Sequence, residues 1–236
     1  MIKVTNSLSI VIPLFNEEKR LNKSLIKINK FIKNKNIKII LINDGSFDKS
    51  EKIIKKFINN KKKFSVINLK KNIGKGGALK TGVMKAKSKW ILTMDLDLSV
   101  PISQILIWHK KKYVTDKFLI YFGSRNHDES IIRSKIYRRI FGKILSFFIN
   151  FILNIKIQDT QCGFKLYKSN IGKLLFSKIT RNGYEHDIEI TMIARNKKIL
   201  IKELPITWIH KEGSKVNILI DSIKVFLSII ILKIRY

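Results

Sequence analysis

Apolar residues fall along this chain in two alternating rhythms. Short, nearly unbroken runs at residues 8–14, 37–42, 64–69, 90–94 and 119–123 have the length and β-branched content of buried strands. Between them the spacing changes. Leu21, Leu25, Ile28 and Ile32 recur at helical intervals after the first run, and an amphipathic stretch through Phe57 follows the second. A helix is expected to open within residues 72–82, and another to span 102–112. Strand alternating with helix predicts an α/β fold with a mostly parallel central sheet flanked by helices. Ligands of such sheets bind outside the carboxyl ends of the strands, so the residues just after each run are where chemistry is expected.

Beyond residue 124 the pattern changes. Arg133, Lys135, Arg138, Arg139 and Lys143 cluster just before residues 144–153, an apolar run interrupted by Asn150. That run falls short of the roughly 20 residues a bilayer crossing needs. It suits an amphipathic helix lying in the membrane interface, basic at one end, and equally a buried core helix. A short strand is expected within 157–167, and a helix from 184 that carries Glu185, Asp187 and Glu189. A last strand falls at 200–208, a loop at 210–215 and an amphipathic helix at 216–236. No repeat or low-complexity linker divides the chain. A single domain over 1–215 is expected, with a helical insertion near 131–156, then the terminal helix.

Composition narrows the picture moderately. The 236 residues carry 48 Lys and Arg against 17 Asp and Glu, a formal net charge of +31. Such a charge favours anionic partners, whether nucleic acid, nucleotides or acidic lipid. Yet the lysines are spread throughout, and no zinc-finger spacing or aromatic RNA-binding motif gathers them. The single cysteine, Cys162, excludes an internal disulfide framework and agrees with a reducing compartment. No cleavable leader opens the sequence, so export is not expected.

Candidate chemistry then sits where the strand rule puts it. Asp95 and Asp97 follow the run at 90–94, and residues i and i+2 of an extended chain point the same way. Two such carboxylates suit Mg²⁺ or Mn²⁺, which commonly shares its shell between protein carboxylates and substrate phosphates; a polar turn is the plainer reading. Glycines at 74, 76 and 77 would let backbone N–H groups approach an anion, or serve a tight strand-to-helix turn. Glu17 and Glu18 stand where a helix start favours negative charge.

Taken together, residues 13–18 (Pro-Leu-Phe-Asn-Glu-Glu), 43–46 (Asn-Asp-Gly-Ser), 72–78, Asp95-Leu-Asp97, Gly123-Ser-Arg125 and 159–165 (Asp-Thr-Gln-Cys-Gly-Phe-Lys) follow the order of motifs in family 2 glycosyltransferases. The chain most resembles the dolichyl-phosphate β-glucosyltransferases and related polyprenyl-phosphate hexosyltransferases, from residue 8 to about Lys215. Gly213-Ser-Lys215 adds to the glucosyl likeness. The resemblance implies a GT-A domain in which Pro13, Asn16, Glu17 and Asp44 line the nucleotide pocket, with Lys75 beside the nucleotide. Asp95 and Asp97 would hold the ribose and the metal on the diphosphate. Arg125, with Arg138 or Arg139, would receive the acceptor phosphate, and Asp159 and Gln161 would lie by the sugar. One departure is visible: the family commonly has two acids before Gly-Ser, and here the first is Asn43.

An acceptor phosphate is mostly ionised at neutral pH, so it needs positioning by guanidinium groups more than a general base. His109, His127, His186 and His210 are accordingly expected to be structural or surface residues. The expected activity is inverting transfer of a hexose, glucose from UDP-glucose first, onto a polyprenyl phosphate at the cytoplasmic face of a membrane. Rivals are a GDP-mannose-dependent enzyme, a family 2 transferase with a saccharide hydroxyl acceptor, and a non-enzymatic nucleic-acid or anionic-membrane binder.

Overall fold

The computed structural model describes residues 7–115, 117–134, 136–211 and 228–236; in the helix that starts at Ile136, the side chains of 136–141 and 145 lie outside that description. Five parallel strands form most of the sheet, as the alternation predicts. They are β1 (Leu8–Leu14), β2 (Ile37–Asn43), β3 (Phe64–Asn68), β4 (Trp90–Thr93) and, further along, β5 (Ile120–Ser124). A short antiparallel strand, β7 (Lys165–Lys168), is wedged between β4 and β5, and β8 (Ile201–Pro205) lies parallel to β5 at the edge. The order is β3-β2-β1-β4-β7-β5-β8. A separate two-stranded sheet pairs β6 (Ile131–Arg133) with β9 (Thr207–Ile209). The run at 200–208 therefore divides between two sheets, at Ile206.

Alternation along β1 sets the layers. Leu8, Ile10, Ile12 and Leu14 face one side, with Leu21, Leu25, Ile28 and Ile32 of α1 (Glu18–Ile32), Ile54 of α2 (Ser50–Ile58), and Ile105 and Trp108 of α4 (Gln104–Lys110). Val11 faces the other side. There it meets Ala78, Leu79 and Val83 of α3 (Lys75–Lys85), Leu175 and Phe176 of α6 (Ser169–Lys178), and Ile190 and Ile193 of α7 (His186–Asn196). The sequence pattern did not foretell α6, whose buried positions Gly172, Leu175 and Phe176 are too few to mark a face.

A third cluster sits apart from the sheet. Ile149 and Leu153 of α5 (Ile136–Leu153) pack with Ile155, with Ile188 and Met192 of α7, and with Ile229 and Leu232 of α8, helical over 228–235. The other face of α5 is bare: Ile144, Phe147, Phe148 and Phe151 are exposed, Phe151 by 77%. Thus the apolar run is half core helix and half open surface: the core reading holds for one face, and the other face is bare. Asn150 explains the interruption, since its side chain donates to the Ile157 carbonyl at 2.7 Å and accepts from the Ile157 N–H at 3.3 Å. No helix among the described residues is long and apolar enough to cross a membrane.

The three acids that open α7 are explained by burial. Glu189 is fully buried and accepts from the Thr180 and Arg181 N–H groups and the Thr180 hydroxyl, each at 2.8 Å. Asp187 forms an ion pair with Lys165, itself fully buried on β7. Removing one partner of a buried pair strands the other charge, which costs about 3–5 kcal/mol. Asp187→Asn is accordingly expected to lower the thermal melting temperature sharply, and an unchanged melt would contradict the pairing.

Candidate active site

The site forms where the carboxyl ends of β1, β2 and β4 meet. Three loops are laced together there by side chains that accept or donate across them. After β1, Asn16 adopts a positive φ of 53°. Its N–H donates to the Ser46 hydroxyl at 2.9 Å, and its side-chain oxygen accepts from the Phe47 N–H at 3.0 Å. The Glu17 N–H donates to the Ser50 hydroxyl at 2.8 Å, and the Glu18 N–H to Asp48 at 3.0 Å. Pro13 is the penultimate residue of β1, half-buried beside this turn.

Asp44 is buried, and its two carboxylate oxygens accept the Ile73 and Gly74 N–H groups, each at 2.9 Å. Burial pushes its pKa up, and those two amide donors only partly oppose it. Gly45, at φ 66°, lies so close to the Lys71 backbone that any Cβ would overlap it. Asn43 is likewise buried: its amide donates to Asn68 at 3.0 Å and its oxygen accepts from Ser46 N–H at 3.3 Å. The unusual Asn43 is thus used within the protein.

The glycine segment serves close packing, so the anion-cradle alternative is not how its amides are spent. Gly76 and Gly77 N–H groups both donate to the Asn182 carbonyl, at 2.7 and 3.3 Å. A Cβ on Gly76 would stand 2.6 Å from His186 Cβ and 2.8 Å from the Arg181 carbonyl oxygen. This close approach brings Lys75, the first residue of α3, to the strand tips.

Lys75 Nζ lies 2.6 Å from Asp95 Oδ1. Burial alone would lower the pKa of Lys75, but the charges of Asp95 and then Asp187 outweigh it and raise the value; in turn, burial opposes and Lys75 dominates in depressing Asp95. The chain does not continue extended from Asp95 to Asp97, as the i, i+2 expectation assumed. It turns: the Leu98 N–H reaches back to the Asp95 carbonyl at 3.4 Å, with Leu98 at φ 56°. Positive φ on a branched residue is strained, and such strain clusters at functional sites. Asp97 Oδ1 accepts the Ser99 N–H at 2.8 Å, while Oδ2 faces Arg20 Nη1 at 3.9 Å.

The acidic pair fits a hard divalent ion of the kind that takes one or two carboxylates and completes its shell with phosphate oxygens. It does not fit a cage made wholly of protein ligands, since no group of three or more His, Cys, Asp or Glu suited to a metal occurs among the described residues.

Beyond β7 in the sheet, β5 ends at Ser124 and delivers Arg125. Its guanidinium grips Asp159 side-on, Nε to Oδ2 at 2.7 Å and Nη2 to Oδ1 at 2.8 Å, and its N–H donates to Oδ2 at 2.9 Å. Burial opposes ionisation of Asp159, but Arg125 holds the carboxyl below its ordinary value. Burial opposes the charge of Arg125, and Asp159 outweighs it and raises its pKa. Asp159 is held from behind by Glu203 of β8, which accepts the Gln158 and Asp159 N–H groups at 2.7 and 2.9 Å. Next to it, Gln161 N–H donates to Asp159 at 3.2 Å, leaving the buried Gln161 Nε2 without a partner. Gly163 lies against the Asp95 carboxylate so closely that a Cβ would overlap it, so the two halves of the site touch.

Of the residues singled out from sequence, the side chains of Arg138 and Arg139 and the segment Gly213–Lys215 lie outside the described residues. Two residues escaped that reading: Arg20 and Glu203. Glu17 was expected to favour the helix start; its side chain makes no cap and instead clasps Arg20 from both oxygens. The signal, an i, i+3 Glu-Arg pair, is too common on helices to stand out. Among the histidines, His186 is fully buried and its pKa is lowered mainly by that burial, as suits a structural residue.

The sheet has the fold of the GT-A glycosyltransferase structures, with paired acids and a lysine at its strand tips. The chain belongs to the family Glycosyl transferase family 2, whose sequence profile it matches over residues 9–175. It is 34% identical over 251 residues to the dolichyl-phosphate beta-glucosyltransferase of Saccharomyces cerevisiae, covering 97% of this chain and 75% of that protein. The human dolichyl-phosphate beta-glucosyltransferase is 31% identical over 232 residues, covering 89% and 70% respectively. Among solved structures, glucosyl-3-phosphoglycerate synthase from Mycobacterium tuberculosis, in complex with Mn²⁺, UDP-glucose and phosphoglyceric acid, superposes with a TM-score of 0.71 at 17% identity. That match covers 98% of this chain and 81% of the other. The chain is a family 2 glycosyltransferase, and the fold expected from sequence is the one it has.

Proposed function

We propose that this chain transfers glucose from UDP-glucose to the phosphate of a dolichyl or other polyprenyl lipid, with a divalent metal ion, at a membrane surface. The observation that carries the reading is that the Asp95 carboxylate abuts Gly163, close in sequence to Asp159, the buried carboxylate that fixes the Arg125 guanidinium. The relatives named as dolichyl-phosphate glucosyltransferases favour glucose and a lipid phosphate over mannose or a saccharide hydroxyl.

Asp95 and Asp97 would hold Mg²⁺ or Mn²⁺ against the donor diphosphate, where a divalent ion acts as Lewis acid and template for the departing UDP. Lys75 adds positive charge beside Asp95. Arg125 spends Nε and one Nη2 proton on Asp159, which leaves the outer end of its fork for an acceptor phosphate. A lipid phosphate oxygen attacks the anomeric carbon, the bond to the β-phosphate breaks, and UDP leaves with its electron pair. The attacking oxygen carries no proton to remove, so no histidine is required. Single displacement inverts the α-linked donor to a β-linked product. Asp159, kept ionised and bound, acts as the anchor of Arg125.

The exposed face of α5, together with Ile230, Ile231 and Ile234 of α8, supports peripheral attachment to a bilayer. The net charge of +31 adds attraction to anionic lipid. Purified protein incubated with Mn²⁺, membrane lipid and labelled UDP-glucose, GDP-mannose or UDP-N-acetylglucosamine tests the donor. Label from UDP-glucose alone is expected to become extractable into organic solvent; label from GDP-mannose instead would overturn the choice of sugar.

A further inference from the structure

Among the described residues, Arg20 is a cation at the strand tips to which the proposed function gives no task. It lies in the first turn of α1, and its Nε and Nη2 are bound by the two oxygens of Glu17. The remaining nitrogen, Nη1, is buried and has no hydrogen-bond partner. It faces Asp97 Oδ2 from 3.9 Å, too far for a hydrogen bond and close enough for attraction. Native proteins leave few buried donors unpaired, and each asks for an explanation.

The layers of the fold give one. Helix α1 packs on one face of the sheet and α3 on the other, so Arg20 and Lys75 reach the acidic pair from opposite sides. Each carboxylate then has a resident cation, Asp95 with Lys75 and Asp97 with Arg20. A donor entering with a divalent ion brings its own positive charge to the carboxylates and an anionic diphosphate to the space between. Glu17 holds the guanidinium through Nε and Nη2 and sets its direction. The group it meets in the occupied site is phosphate oxygen, an acceptor that guanidinium N–H groups suit in charge and geometry.

We propose that Arg20 is a donor-binding residue, held by Glu17 so that its free N–H groups receive the diphosphate of a nucleoside-diphosphate sugar on the side opposite Lys75. The proposal rests on the donor reading above and specifies which residues grip the leaving group. It also gives Glu17 a definite role, as the anchor of that arginine.

Calorimetric titration of the full chain with UDP and with uridine, both in Mn²⁺, tests it. Arg20→Gln is expected to weaken UDP about tenfold or more, the size of a lost charge-assisted hydrogen bond, and to leave uridine unchanged. Should Arg20→Gln melt early, Arg20→Lys, which keeps charge and loses the fork, is expected to give a smaller fall of the same kind. If Arg20 is merely the counter-ion of Asp97, Arg20→Gln would tighten Mn²⁺ and leave UDP unchanged, which overturns the proposal. Equal losses for UDP and uridine overturn it too, because they place the fault outside the diphosphate. Failure of the unaltered chain to bind UDP would overturn the donor reading itself, and this inference with it.

Discussion

Arg125→Ala is expected to reduce glucosyl transfer to a lipid phosphate by about 10²–10³-fold, the usual cost of deleting a preorganised charged donor, while UDP binding is unchanged. The separation of effects follows from position. Arg125 leaves β5 on the far side of β7 from the acidic pair and is held by Asp159, which Glu203 fixes in turn. That chain of contacts does not include Asn16, Asp44 or Ile73, in the loops proposed to hold the nucleotide. Truncation also strands the buried Asp159 carboxylate, so a fall in melting temperature accompanies it. Arg125→Lys separates the two effects: it restores charge opposite Asp159 but cannot hold a carboxylate and a phosphate with one planar fork. Transfer should therefore stay low in Arg125→Lys while the melt recovers. Loss of UDP binding in either variant would contradict the assignment to the acceptor.

Asp97→Asn is the second large effect. The substitution keeps the oxygen that accepts the Ser99 N–H, so the turn through Leu98 survives. It removes the negative charge a hard cation needs. Transfer is expected to fall by about 10²–10³-fold or more, as when transition-state charge loses its main stabiliser. In titrations, UDP binding should no longer respond to Mn²⁺. Retained metal-dependent UDP binding by Asp97→Asn would put the ion elsewhere.

Much of the architecture could be read from period alone. Buried parallel strands are near-continuous apolar runs, and β1, β2 and β4 announced themselves in that way. The antiparallel β7 showed only as a short strand within 157–167 and did not announce its direction, because it opens on a buried lysine that Asp187 and the Thr160 carbonyl make tolerable. Nor did α6 announce itself, a short helix with few buried positions. In the site, residue types at a strand end pointed to Asp95 and Asp97, and the family resemblance to Lys75 and Arg125, before any coordinates. What sequence could not convey was which polar groups consume one another. Asp44 turned out to pin residues 73 and 74, and the glycine amides to bind Asn182. Likewise Asp159 serves Arg125, and Glu17 serves Arg20. All but the i, i+3 pair of Glu17 and Arg20 join residues brought together by the fold, and local pattern carries no trace of them. The backbone turn between Asp95 and Asp97 is a further case, since a positive φ at leucine is not something propensity suggests.

Transfer by this chain requires a metal-held diphosphate and a guanidinium-held lipid phosphate in one site. The most direct test of that requirement supplies UDP-glucose labelled in the sugar, together with either dolichyl phosphate or dolichol, with Mn²⁺ or with a chelator. Labelled lipid is expected from dolichyl phosphate with Mn²⁺ and from no other combination. Transfer to dolichol, or transfer that persists in chelator, would contradict it.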